Sequence, residues 1–181
     1  DDTHMRMFVP TGKGRTVYQL NSLFNHRYYE PSLRTLPVPA LLIRQKSEAW
    51  DHPFIAVYEP YGNGAKSQIR SVYTSKTPKQ KGVAKLSVEY FKKDKMDHII
   101  HSVNEKTEAK YMGIRFMGTY CVVTMEKGRL VSLYIGNGYS FSMDGLEVSL
   151  DEGKPFDVWL EWRDGEGICH SREAVKIKML K

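Results

Sequence analysis

Residues 39–61, PALLIRQKSEAWDHPFIAVYEPY, contain two apolar runs at 40–43 and 54–58, joined by a polar connection and closed by Glu59-Pro60-Tyr61. Both runs are rich in aliphatic, aromatic and β-branched residues, too short for independent helices, and bounded by prolines. They predict neighbouring strands. Outward from this stretch, nearly every periodic segment alternates at period two. Residues 5–9 and 16–20 flank Thr11-Gly12-Lys13-Gly14 and predict a hairpin, and 69–73 extends the two central runs into a meander.

Further along, Leu86, Val88 and Tyr90 share one face of a strand over 83–91, and 98–103 forms another short strand in which His98 and His101 point to opposite faces. After a polar connection at 104–110, strands are expected over 114–116, 119–125, 130–135, 139–143, 146–150, 157–162 and 174–180. Glu126-Lys127-Gly128, Gly136-Asn137-Gly138, Asp144-Gly145 and Asp164-Gly165 lie between them as turn signals. The fold class is therefore all-β, an antiparallel β-sandwich of more than ten short strands with little or no helix. The chain lacks an initiator methionine, and a strand pattern begins near Met5, so residues 1–181 are expected to be a fragment of a longer protein. A boundary near 104–118 would divide the region into a larger sandwich and a small C-terminal β unit.

The formal net charge is +6, with lysines grouped at Lys76, Lys79, Lys81 and at Lys92, Lys93, Lys95. Such groups attract polyanions, and they also serve as solvated turns and as edge-strand protection. No apolar run approaches the roughly 18 residues that a spanning helix requires, so no membrane partner is expected. Two cysteines, Cys121 and Cys169, leave their pairing open, and their spacing makes no metal motif. The glycine pairs lack the phosphate-cradling pattern, and there is no Gly-x-Ser-x-Gly elbow. Around Trp162, alternation assigns Val158, Leu160 and Trp162 to a core row and Trp159 and Glu161 to a solvent row, which explains that segment without catalysis. No catalytic set, metal or cofactor is expected.

Residues 21–39, NSLFNHRYYEPSLRTLPVP, form a long connection without periodicity. Loops of this length inside a compact domain often carry function. Arg27, Tyr28 and Tyr29, with His26 as a lesser candidate, are the predicted substrate-binding residues, since aromatic faces pack on sugar rings and arginine grips carboxylates or sulfates. The competing reading is that these aromatics cover one end of the sandwich.

The opening stretch, with LLIRQK at 41–46, Glu48-Ala49-Trp50 and HPFIAVYEPY at 52–61, resembles the C-terminal β region of heparinase II/III-like polysaccharide lyases. HMRMFVP at 4–10, Arg15-Thr16-Val17-Tyr18 and TYCVVTMEKGRLVSLY at 119–134 resemble the same region. The resemblance implies a helical toroid followed by antiparallel sheets, in a protein that cleaves uronate polysaccharides by β-elimination. The family's catalytic Tyr and His motifs have no match here, so no catalytic residue is carried over. The resemblance further implies a non-catalytic β-sandwich portion that supports the catalytic toroid and contacts acidic polysaccharide, in the periplasm or outside the cell. The alternatives are a stand-alone carbohydrate-binding module for anionic glycans and, last, a nucleic-acid-binding sandwich.

Overall fold

Among the residues that the computed structural model describes (4–10, 12, 14–23, 37–46, 48–62, 64–75, 80–92, 94–150, 153–163 and 166–179), every regular element is a strand. In chain order these are β1 His4–Phe8, β2 Arg15–Leu23, β3 Pro37–Gln45, β4 Val57–Tyr61, β5 Ile69–Thr74, β6 Val83–Tyr90 and β7 Lys95–Ser102. They continue with β8 Glu108–Tyr111, β9 Ile114–Glu126, β10 Arg129–Met143, β11 Leu146–Ser149, β12 Phe156–Arg163, β13 Glu166–Ser171 and β14 Lys176–Met179. The chain forms two compact units, Asp1–Pro10 with Ala49–Lys181, and Thr11–Glu48.

The larger unit is built on a ten-stranded antiparallel sheet in the order β13-β12-β10-β9-β7-β6-β5, with β8 on β9, and β11 and then β14 beyond β10. Two-residue turns fix the local pairings. Met112-Gly113, Lys127-Gly128 and Asp144-Gly145 each hold both residues at positive φ (49° and 81°, 51° and 73°, 45° and 82°). That geometry matches the twist of antiparallel strands, and glycine supplies the second position.

A corner converts this one sheet into two layers. β9 and β10 are 13 and 15 residues long, and their register shifts between Gly138 and Ser140. Along β9 the buried positions run Ile114, Phe116 and then, out of phase, Cys121 and Val123, so each strand bends and presents one continuous interior. The bend requires glycine. A Cβ on Gly118 would lie 2.7 Å from the Gly138 Cα and 2.8 Å from the Asn137 carbonyl oxygen, and one on Gly138 would run into the Ile135 side chain.

Asn137, at φ 50°, ties the corner down. Its backbone N–H donates to Asp157 at 2.6 Å, and its side-chain amide donates to Glu105 at 2.7 Å and to Thr119 at 2.8 Å. Ile100, Cys121, Val123, Leu133, Ile135, Val158 and Leu160 then face Ala109, Ile114, Phe116, Phe141, Leu146 and Val148 in a single core.

The antiparallel sandwich expected from the sequence is present, but several pairings differ. β1 pairs with β4, not β2, and β2 pairs with β3. The runs 40–43 and 54–58 are therefore not neighbours; they fall in different units. Burial explains the choice of partner, because Phe8, Ile55 and Val57 pack on Ile69, Leu86, Val88 and Ile99, which no local hairpin offers. Glu59, read as part of a strand exit, is a buried anchor. Its carboxylate accepts from Ile69 N–H at 3.0 Å, from Ser67 Oγ at 2.7 Å and from Gln68 N–H, while Arg6 donates to Ser67 at 2.9 Å. Gly136-Asn137-Gly138, read as a turn, lies within β10 as the bulge. Cys169 and His170 lie on β13.

Candidate functional site

Alternation across the ten-stranded sheet gives each strand an inner and an outer row. The outer rows carry the candidate site. Tyr134 on β10 is directly opposite Trp159 on β12, and Trp159 is opposite His170 on β13. On the other side, Tyr120 on β9 is opposite His101 on β7 and Gly136 on β10. His101, Tyr120, Tyr134, Trp159 and His170 thus occupy five adjacent strands. At about 4.8 Å per strand the row is about 19 Å wide.

The rings meet in two groups. His170 stacks on Trp159 with centroids 4.7 Å apart and planes at 24°. Tyr120 meets Tyr134 edge to face at 6.1 Å and His101 at 6.5 Å. The Tyr134 ring lies over Gly136, where an added Cβ would be in ordinary contact with it at 3.5 Å. Tyr134 and Trp159 remain 45% and 43% exposed, although the core row behind them is fully covered. Burial, with smaller contributions from Tyr134, Cys121 and Asp97, holds the Tyr120 hydroxyl above its ordinary pKa. It stays protonated, able to donate as well as accept.

Polar groups border the row. Asp157 and Glu161 stand on the same face of β12 as Trp159, two residues to either side. Glu161 accepts from Arg163 Nη2 at 2.7 Å and lies 3.3 Å from His170 Nε2. Thr124 and Ser132 face each other across β9 and β10 beside this pair.

A second feature lies at the opposite sheet edge. A cleft of about 960 Å³ opens between Tyr73, Thr74 and Ser75 and the β8–β9 hairpin at 110–115. Beneath it, Ser87 Oγ shares hydrogen bonds with His98 Nδ1 at 2.8 Å and with Tyr111 OH at 2.7 Å. Burial pulls the His98 pKa below its ordinary value, only partly offset by Asp97, and burial raises that of Tyr111. Ser87 is completely buried, so the Ser-His pair cannot meet a substrate as nucleophile and base. It joins the two layers.

Of the sequence-predicted residues, His26, Arg27, Tyr28 and Tyr29 all lie outside the described residues. His98 and His101 point to opposite faces as the strand reading required, one buried and one exposed. Trp159 and Glu161 lie in the outer row assigned to them. Sequence reasoning missed that Tyr120, Tyr134 and His170 join Trp159. The missing signal was register: alternation gives the face within each strand, but only the pairing aligns rings across strands. Among the described residues, no group of three or more His, Cys, Asp or Glu side chains is arranged to hold a metal ion.

The family model described as the endo-acting ulvan lyase C-terminal domain matches residues 69–161. That span runs from β5 into β12 and includes the corner, the buried Ser87–His98–Tyr111 group and the rings of Tyr120, Tyr134 and Trp159. A protein of Formosa agariphila named as an endo-acting ulvan lyase is 34% identical over 146 residues, 76% of this chain and 17% of its own length. The chain thus spans less than a fifth of that relative.

Proposed function

This chain belongs to the endo-acting ulvan lyase C-terminal domain family, and from that premise we propose that it is the non-catalytic β-sandwich portion of a polysaccharide lyase. Its role is to support a catalytic part elsewhere in the parent protein, of the helical-toroid kind found in heparinase II/III-like lyases, and to contact acidic polysaccharide. The observation that carries the supporting role is the β2–β3 hairpin. Val17 and Leu41 stand on one face of it and Tyr18, Leu20 and Leu42 on the other, all exposed. A two-stranded ladder is at best marginally stable alone, and apolar side chains on both faces suit a strand pair clasped by a further body. The formal net charge of +6 favours approach of a polyanionic substrate. The same reading puts the parent protein in the periplasm or outside the cell.

The test is to express the catalytic part of the parent protein without this chain and add the chain in trans. The expected result is co-purification and a raised melting temperature of the catalytic part, with no absorbance rise from unsaturated product when the chain alone meets ulvan. A catalytic part equally stable and active without the chain would overturn the supporting role, and a clear absorbance rise from the chain alone would overturn the non-catalytic one. A stand-alone carbohydrate-binding module is the second reading, favoured by the aromatic row on the outer face.

A further inference from the structure

On the outer face of the ten-stranded sheet, rings recur on five adjacent strands in two touching groups, His101–Tyr120–Tyr134 at 6.1 to 6.5 Å and Trp159–His170 at 4.7 Å between centroids, with Tyr134 and Trp159 as register partners between them. The other half of this same face is closed. There β1 and β4 bring Phe8 and Val57 against the cluster of Ile69, Leu86 and Val88, on which Ile99 also packs, so along the row Leu86–Ile99–Val122–Tyr134–Trp159–His170 the apolar cluster lies at one end and the aromatics at the other. Tyr and Trp side chains have few rotatable bonds and lose little entropy when a ligand settles on them. The result is a pre-organised row of aromatic surface rather than scattered exposed rings.

The border of the row selects among occupants. A protein partner's interface core is depleted in charge, yet here Asp157 and Glu161 flank Trp159 directly. A nucleic acid also stacks bases on aromatics, but it needs cations along its backbone. The border offers carboxylates instead, and Arg163, the guanidinium beside them, is already engaged by Glu161 at 2.7 Å. A backbone with a phosphate at every nucleotide cannot keep all of them away from these carboxylates, whereas an acidic polysaccharide can turn its hydroxyls to them and its charged groups outward to solvent. Sugar hydroxyls both donate and accept, so they can donate to the Asp157 and Glu161 carboxylates and accept from the Tyr120 hydroxyl. The C–H face of a pyranose ring supplies the apolar surface that packs on an aromatic ring.

We infer that Tyr120, Tyr134, Trp159 and His170, bordered by Asp157 and Glu161, form a sugar-stacking platform that holds a polysaccharide chain across β9, β10, β12 and β13. This deepens the proposed function and rests on it for the identity of the polymer. The platform is a holding surface away from the chemistry: it keeps a long substrate near the catalytic part between cleavages and raises the local concentration of uncut chain.

Affinity electrophoresis and calorimetry of the 181-residue chain test the platform, with ulvan, a neutral glucan and a single-stranded oligonucleotide as probes. Ulvan should bind, with Trp159→Ala and Tyr134→Ala each weakening it tenfold or more. Tyr134→Phe, which keeps the ring, should bind as wild type, and so should Phe91→Ala, which removes an exposed ring outside the row. Unchanged thermal unfolding of each variant shows that the fold is intact. The platform is overturned if ulvan does not bind at near-millimolar sugar, if the two alanine variants bind as tightly as wild type, or if the oligonucleotide binds more tightly than ulvan. These failures are distinguishable from failure of the supporting role, because Trp159→Ala chain added in trans should still stabilise the catalytic part.

Discussion

β2 and β3 pair in an unbroken register from Arg15 opposite Gln45 to Leu23 opposite Pro37, whereas β9 and β10 lose register twice, once at the Gly138 corner. Both are long antiparallel ladders rich in apolar residues. The straight ladder keeps its side chains apart on two open faces, with Leu42 53% exposed. The bent ladder turns one face on itself and buries Phe116, Leu133, Ile135 and Phe141. An irregularity in hydrogen bonding, which costs a little locally, creates the interior that stabilises the whole unit. A regular ladder must obtain its interior from elsewhere.

The comparison can be broken most forcefully at Phe116, the large side chain just before the corner. Phe116→Ala should lower unfolding free energy by about 4 kcal/mol, measured by urea denaturation; a loss under about 1 kcal/mol would mean that the bend does not organise the core. Gly118→Ala attacks the bend itself. Its methyl group would sit against backbone that cannot move aside, and a loss of about 3 kcal/mol is expected, read as a fall in melting temperature of roughly 10 °C.

Glu59→Ala leaves the buried Ile69 N–H and the part-buried Gln68 N–H without their acceptor, for a loss of about 2 kcal/mol. It tests whether the β1–β4 pair is held by this anchor, and a near-neutral result would say that apolar packing alone suffices.

His98 gives a pH-dependent version of the same question. Burial lowers its pKa from the ordinary 6.5, Asp97 opposing, so the unfolded chain takes up the proton first. Stability is therefore full above about pH 6.5 and declines as pH falls towards the folded-state value. His98→Gln should flatten that decline in denaturant titrations between pH 7 and 5, and an equal slope in both proteins would assign the decline to other groups. The smallest effect is expected in the straight ladder. Leu42→Ser should change the stability of the isolated chain by under about 0.5 kcal/mol, yet it should weaken co-purification with the catalytic part.

The sheet's strands were legible because alternation and two-residue turn chemistry are local. Lys127-Gly128 and Asp144-Gly145 signal their hairpins within a few residues. Pairing was not legible where burial is non-local. Nothing within 5–9 or 16–20 says that Phe8 belongs with Ile69 and Leu86 rather than across a nearby loop. Gly136-Asn137-Gly138 has the composition of a turn, and only its packing against Gly118 shows that the strand continues through it. For the candidate site, alternation put Trp159 outside, but its alignment with Tyr134 and Tyr120 is a property of register. The aromatic loop at 26–29 drew attention because its residues are adjacent in sequence; the rings that meet in space come from four strands or more.

The corner also bears on how the molecule comes together in time. Many sandwiches must bring distant chain segments face to face before any core exists, and such long-range closure slows folding. Here the two layers are the two halves of one hairpin whose strands are separated by Lys127-Gly128. Zipping β9 against β10 from that turn would carry the chain through the bend, so that local pairing alone would set one layer over the other. The flanking strands have that scaffold to add to, and because β9 and β10 run through both layers, the two layers share their central ladder.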